Sequence, residues 1–80
     1  MTLARYFVFP HDRNWVVALD GMPIARHRSE PQALSSAIVM ADLMGAMQHD
    51  ADVMLDADGE LRVAWTYGVD PLPEAGAAAA

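Results

Sequence analysis

The chain contains neither cysteine nor lysine. Without cysteine it has no disulfide framework, no thiolate nucleophile and no thiolate metal ligand. All five basic residues are arginines, and they stand against 11 acidic residues, so the formal net charge is −6. A phosphate backbone repels a protein of this charge, and nucleic-acid binding is therefore not expected as its general function.

Long apolar runs are also missing from the chain. No stretch approaches the roughly 20 residues that a membrane span needs, and Met1–Arg5 lacks the basic and apolar regions of a secretory signal. We therefore expect a cytoplasmic protein with no membrane association. The hydrophobic fraction is nevertheless 54% of only 80 residues. One small core does not hide that much apolar surface, which favours a homo-oligomer or a protein partner.

The first third of the chain reads as strands. Tyr6–Phe9 is aromatic and β-branched and is expected to stop at Pro10, because proline does not continue a central strand. Asn14–Leu19 follows a polar turn and alternates with period two. Ile24–Arg28 is a candidate third strand.

A helix is predicted to begin after Ser29 and to run to about Gln48. Ser29 is suited to cap the free amide of Gln32, and Pro31 is tolerated in a first turn. Helical spacing predicts a face that packs on the sheet: Leu34, Ala37, Ile38, Ala41 and Met44. Three further apolar residues fall beside the polar side and are predicted to be surplus apolar surface: Met40, Leu43 and Met47.

The last predicted element pair is a hairpin around Asp58-Gly59. A three-residue loop, Ala57–Gly59, would place Leu61 and Val63 on the same face as Val53 and Leu55, and Gly59 supplies the left-handed residue that such a loop needs. Trp65 then falls in the core under the helix. We expect residues 1–73 to form a single domain and residues 74–80 a disordered Ala-rich tail.

The segment Tyr67–Pro73 is expected to fold back across the domain. It carries an aromatic residue, a leucine and two prolines where a linker would be polar. Prolines lower the entropy cost of one extended path, and Asp70 can accept backbone amides to fix the turn before Pro71.

Three segments together resemble one known family. Val8–Val17 is similar to its opening hairpin, in which a Pro-led polar turn precedes a Trp-x-Val strand, and Ala33, Ala37 and Ala41 match its alanine-spaced helix. Its closing hairpin and its Tyr-Gly-x-Asp-Pro-x-Pro ending are matched by residues 58–62 and 67–73. These features are those of a small bacterial family known only as domain-of-unknown-function family 2188.

The resemblance covers most of residues 6–73. The chain differs in having Asn14 where a glycine usually precedes the tryptophan, and Val69 where asparagine usually precedes Asp-Pro. The family has no established activity, so the resemblance implies a fold and leaves the function open.

The chain contains histidine, aspartate and serine side chains, but their spacing matches no metal-binding or catalytic motif. His11, His27 and His49 lie in separate predicted elements, so no metal site is expected. Asp12 beside His11 is an acid–base pair by type, but adjacent loop residues are usually solvated. The chain has no Gly-x-Ser-x-Gly turn and no phosphate-binding glycine loop. We therefore expect no catalytic residue and no cofactor.

The sequence thus predicts an α+β domain, with an antiparallel sheet of four or five strands in the order β-β-(β)-α-β-β and one helix on one face. The favoured function is a small non-enzymatic interaction module that self-associates or belongs to a regulatory assembly. The candidate interaction surface consists of seven residues: Met40, Leu43, Met47, Tyr67, Asp70, Pro71 and Leu72. Any sheet face or edge that the helix leaves bare is a further candidate. The alternative is a weak nucleic-acid-binding protein that uses Arg26 and Arg28, with Arg62 joining them across a sheet.

Overall fold

The computed structural model describes residues 3–73, which form one five-stranded sheet and one helix. The elements are β1 (Leu3–His11), β2 (Asn14–Leu19), β3 (Met22–His27), α1 (Glu30–Ala46), β4 (Asp50–Ala57) and β5 (Glu60–Thr66). The strand order in the sheet is β3-β2-β1-β4-β5. The predicted α+β class, the third strand and the single helix on one face are confirmed. The predicted tail, residues 74–80, lies outside the described residues.

The sheet is mixed, and the prediction of a purely antiparallel sheet is wrong. β1 pairs with β4 in parallel, from Leu3 opposite Asp50 to Val8 opposite Leu55, whereas every other pair is antiparallel. β1 and β3 run in the same direction, and the helix, about 25 Å long, returns across the sheet. β4 therefore starts at the same end as β1 and fills its free edge.

All three hairpin turns have two residues with positive φ. The φ values are 49° and 66° at Asp12-Arg13, 53° and 80° at Asp20-Gly21, and 55° and 77° at Asp58-Gly59. Two successive left-handed residues match the right-handed twist of the flanking strands. β1 also continues through Pro10, contrary to prediction. It can do so because the β1–β4 pairing ends at Val8, so Pro10 has only β2 as a neighbour.

The predicted three-residue loop between β4 and β5 is wrong. Ala57 pairs with Glu60 and Leu55 with Arg62, and the register shifts between Val53 and Met54. Ala64 is the extra residue of this β-bulge, which returns Trp65 to the helix side of the sheet. Leu61 and Val63, predicted to face the helix, lie on the opposite face.

The helix packs on the sheet through small residues. Ser29 caps it as predicted, because its Oγ accepts a hydrogen bond from the Gln32 amide at 3.3 Å. The residues buried on α1 are Ala33, Ala37, Ile38, Ala41 and Gly45, and Leu34, Met40 and Met44 pack partly buried beside them. Met40 is therefore not surplus surface: it lies three residues after Ala37 and so shares the core-facing side.

Ile38 and Val39 offer a matched test of the helix orientation. Ile38 is 4% exposed and Val39 is 57% exposed. Ile38→Ala should lower the free energy of unfolding by about 2–5 kcal/mol through the cavity it leaves. Val39→Ala should change it by less than about 0.5 kcal/mol, and Ser29→Ala should cost about 1 kcal/mol through the lost cap. Equal losses for Ile38→Ala and Val39→Ala in denaturant titration would contradict the orientation.

Candidate interaction surfaces

The sheet face opposite the helix, which we call the open face, carries two rows of side chains that run across the strands. The first row is Arg26, Val16, Phe9, Asp56 and Leu61, and the second is Pro23, Ala18, Phe7, Met54 and Val63. The second row is entirely apolar. Leu61 and Val63 are more than half exposed. This face was not predicted residue by residue, although the apolar run Tyr6–Phe9 carried the signal, because a strand apolar on both faces needs cover on both.

A shallow groove crosses the open face. It has a volume of about 350 Å³, and the residues lining it are Phe7, Phe9, Ala18, Gly21, Asp56 and Leu61. Ala18 is the small side chain between the two phenylalanines and the turn at Gly21. Apart from the carboxylate of Asp56, the groove side chains are apolar. Such a surface favours an apolar occupant with a cationic group on one side.

Next to these two rows, the open face carries a bidentate ion pair between Arg5 and Asp52. Arg5 donates from Nε to Asp52 Oδ1 at 3.0 Å and from Nη2 to Oδ2 at 2.8 Å. The hydrogen bond with Asp52, together with its charge, raises the pKa of Arg5 above its usual value. On the helix side, burial and the nearby Asp20 raise the pKa of Tyr6. Because the Arg5–Asp52 pair is already satisfied, covering it would leave no unpaired charge.

Both edge strands are poor templates for a further strand. Pro23 is the second residue of β3, and the strand has a register shift opposite Val17 and Ala18. β5 has the bulge at Ala64 and exposed charges at Glu60 and Arg62. Proline, bulges and charged side chains all discourage edge-to-edge pairing. Contact through the open face is therefore favoured over extension of the sheet.

The helix carries a second, narrower apolar surface. Val39, Leu43 and Met47 are spaced four residues apart, and all three are exposed. Leu43 and Met47 belong to the predicted interaction surface, whereas Val39 was missed. We call these three residues the helix stripe.

The segment after β5 folds back as predicted. The Trp65 indole donates from Nε1 to the Pro71 carbonyl at 3.0 Å, and the Asp70 carboxylate accepts from the Thr66 amide at 2.9 Å. The Tyr67 ring lies edge-on to Trp65, with ring centroids 6.3 Å apart. Asp70 and Pro71 thus have local structural roles, while Leu72 is exposed.

Truncation tests the role of this segment. A chain ending at Thr66 loses the acceptor of the Trp65 indole and the carboxylate that binds the Thr66 amide, so its melting temperature should fall. A chain ending at Pro73 keeps both contacts and is the control. Equal melting temperatures for the two chains would show that the segment contributes nothing to stability.

Gly45 and Tyr67 are in direct contact. A Cβ placed on Gly45 would fall within the Tyr67 ring. Glycine is a poor helix former, about 1 kcal/mol less favourable than alanine, so its place in α1 is explained by the close approach of the ring. Tyr67 is 39% exposed, and the part that is buried covers the end of the helix.

Replacing Gly45 with alanine should therefore change the free energy of unfolding in opposite directions in the unaltered chain and in the Tyr67→Ala variant. In the unaltered chain, Gly45→Ala should lower the free energy of unfolding by about 1–3 kcal/mol, because the methyl group overlaps the ring. Combined with Tyr67→Ala, the same change should raise it by up to about 1 kcal/mol through helix propensity. Chemical denaturation measures both values, and a stabilising effect in the unaltered chain would rule out the contact.

The arginines do not gather as the nucleic-acid alternative requires. Arg26 lies on β3 and Arg62 on β5, which are the two opposite edges of the sheet. The cross-strand pairing places Arg26 on the open face, beside Val16, and Arg62 on the helix side, beside Leu55. The prediction that Arg62 joins Arg26 is wrong, because β1, β2 and β4 separate their strands.

The chemistry-bearing side chains stay dispersed. His11 Nε2 lies 3.3 Å from Asp12 Oδ2, and both side chains are largely exposed. Over residues 3–73, no three histidine or acidic side chains come together to hold a metal ion. The same residues include no helix with the length and apolarity that a membrane crossing requires.

Comparison with known proteins finds no match, since no family model, curated protein or solved structure is significantly similar to the chain. The resemblance to family 2188 therefore stays a prediction.

Proposed function

We propose that this chain is a small non-enzymatic interaction module that self-associates through the open face. The observation that carries the proposal is the uncovered second row, which is apolar from Pro23 on one edge strand to Val63 on the other. Ala18 in this row is buried, Phe7 and Met54 are partly exposed, and Pro23 and Val63 are exposed. Monomers rarely leave an apolar row of this length without cover.

The two edges of the sheet support contact through the face. Because β3 and β5 are interrupted by register shifts, a second copy gains little from pairing with either edge. Two apolar sheet faces, in contrast, pack about 10 Å apart and bury both surfaces together. The interface would resemble the two layers of a β-sandwich.

The composition of the open face also supports the proposal. Phe7, Phe9 and Met54 are partly buried, and Arg5 extends beside them. Aromatic residues, methionine and arginine are enriched at protein interfaces, whereas lysine is depleted. The nucleic-acid alternative is less favoured, because Arg62 lies on the opposite edge of the sheet from Arg26 and Arg28 and the net charge is −6.

Leu61 and Leu43 provide a matched pair of variants. They are 57% and 60% exposed, on the open face and on the helix stripe respectively. We expect the unaltered chain to be a dimer at tens of micromolar (roughly the range in which weak interfaces are populated). Leu61→Lys should raise the dissociation constant at least about tenfold, as a charge enters an apolar contact. Leu43→Lys makes the same change in charge and should leave it unchanged.

Sedimentation equilibrium measures these dissociation constants, and circular dichroism checks that each variant is folded. A monomeric mass for the unaltered chain at this concentration would overturn the proposal. A loss of association in Leu43→Lys alone would instead assign the interface to the helix stripe.

A further inference from the structure

The open face is asymmetric in charge, and this asymmetry suggests how two copies meet. Its first row has Arg26 on β3 at one end and Asp56 on β4 towards the other. Three strand spacings separate them, or about 14 Å, so they are too far apart to pair within one chain. Over residues 3–73, neither side chain takes part in a salt bridge.

We infer that two copies pack face to face about a two-fold axis that runs along the strands between β1 and β2, bringing Arg26 of each copy to Asp56 of the other. This inference rests on the proposed self-association and specifies its geometry. A two-fold axis makes the contact reciprocal, so that one dimer contains two such ion pairs.

Side-chain size leads to the same axis. An axis between β1 and β2 places β1 of one copy over β2 of the other and β4 over β3. β5 then lies along the outer side of the partner's β3, so Leu61 borders the partner's Arg26 at the rim of the contact, where a lysine would face a like charge. Phe7 then lies over Ala18 in the second row, and Phe9 over Val16 in the first. Large side chains thus face smaller ones, which is how facing layers interdigitate. Ala18 lines the groove, so the opposing Phe7 would enter it.

Other arrangements lose these matches. A two-fold axis across the strands keeps each strand over its own counterpart, and both charges then face apolar residues or like charges. Burying an unpaired charge in this way is unfavourable. Complementary charges, in contrast, set the register of an interface and speed association.

Charge reversal tests the inference directly. Arg26→Asp and Asp56→Arg should each raise the dissociation constant of the dimer at least about tenfold, since each homodimer then holds two like-charged contacts. An equimolar mixture of the two variants should recover a dissociation constant close to that of the unaltered chain. The double variant Arg26→Asp/Asp56→Arg should recover it as a homodimer, and only a contact between copies explains that rescue.

Two variants control for net charge. The controls are Arg62→Asp and Glu60→Arg, at two exposed positions on the helix side of β5, opposite Leu55 and Ala57. Each makes the same charge change as its counterpart and should leave the dissociation constant within about twofold. Thermal melts followed by circular dichroism establish that all variants are folded.

The outcomes separate the inference from the proposed function. If the unaltered chain dimerises but the two reversals behave like their controls, or fail to rescue each other, the two-fold arrangement is overturned while self-association stands. If the unaltered chain is a monomer in sedimentation equilibrium, both are overturned. Weakening by each reversal, with recovery in the mixture and in the double variant, supports the arrangement.

Discussion

One helix covers a sheet that has two faces, and most features of this molecule result from that constraint. The 17 residues of α1 pack on one side of the sheet against β1 to β4, chiefly over β1 and β4. β1 nevertheless carries apolar residues on both sides, with Tyr6 and Val8 under the helix and Phe7 and Phe9 opposite. The residues that the structure describes supply no second layer for that side, and this is the basis for the proposal that a second copy covers it.

The contact between helix and sheet depends on small side chains. Ala33, Ala37, Ala41 and Gly45 are spaced four residues apart and form a seam along α1 that lets the helix approach the strands closely. Larger residues flank the seam, and the Tyr67 ring rests on Gly45 at its end. The turn held by Asp70 keeps that ring in position, so the segment after β5 completes the helix side of the core.

Local signals were sufficient for much of the fold. Ser29 marked the start of the helix, and Trp65 was correctly expected in the core, because capping chemistry and strand periodicity act over a few residues. Leu61 and Val63 were misplaced because the bulge at Ala64 reverses the alternation between them and Trp65, and no residue type marks it. The parallel β1–β4 pair was missed for another reason: partners on separated strands are selected by the path of the helix, which acts at long range. A bare sheet face was expected as a candidate surface, but its residues were not identified, as a consequence of both errors.

The β1–β4 pairing also has a consequence for the protein during its synthesis. Arg5 and Asp52 are 47 residues apart in the chain, and closing a loop of that length costs about 3 kcal/mol of entropy. The hairpins on either side need only neighbouring residues and form on a timescale of about 1–10 µs. At roughly 5–20 residues synthesised per second, the ribosome needs about 2–8 s to add the 38 residues from the end of β2 at Leu19 to the end of β4 at Ala57. Until β4 emerges, β1, which lies in the middle of the finished sheet, has β2 as its only neighbour.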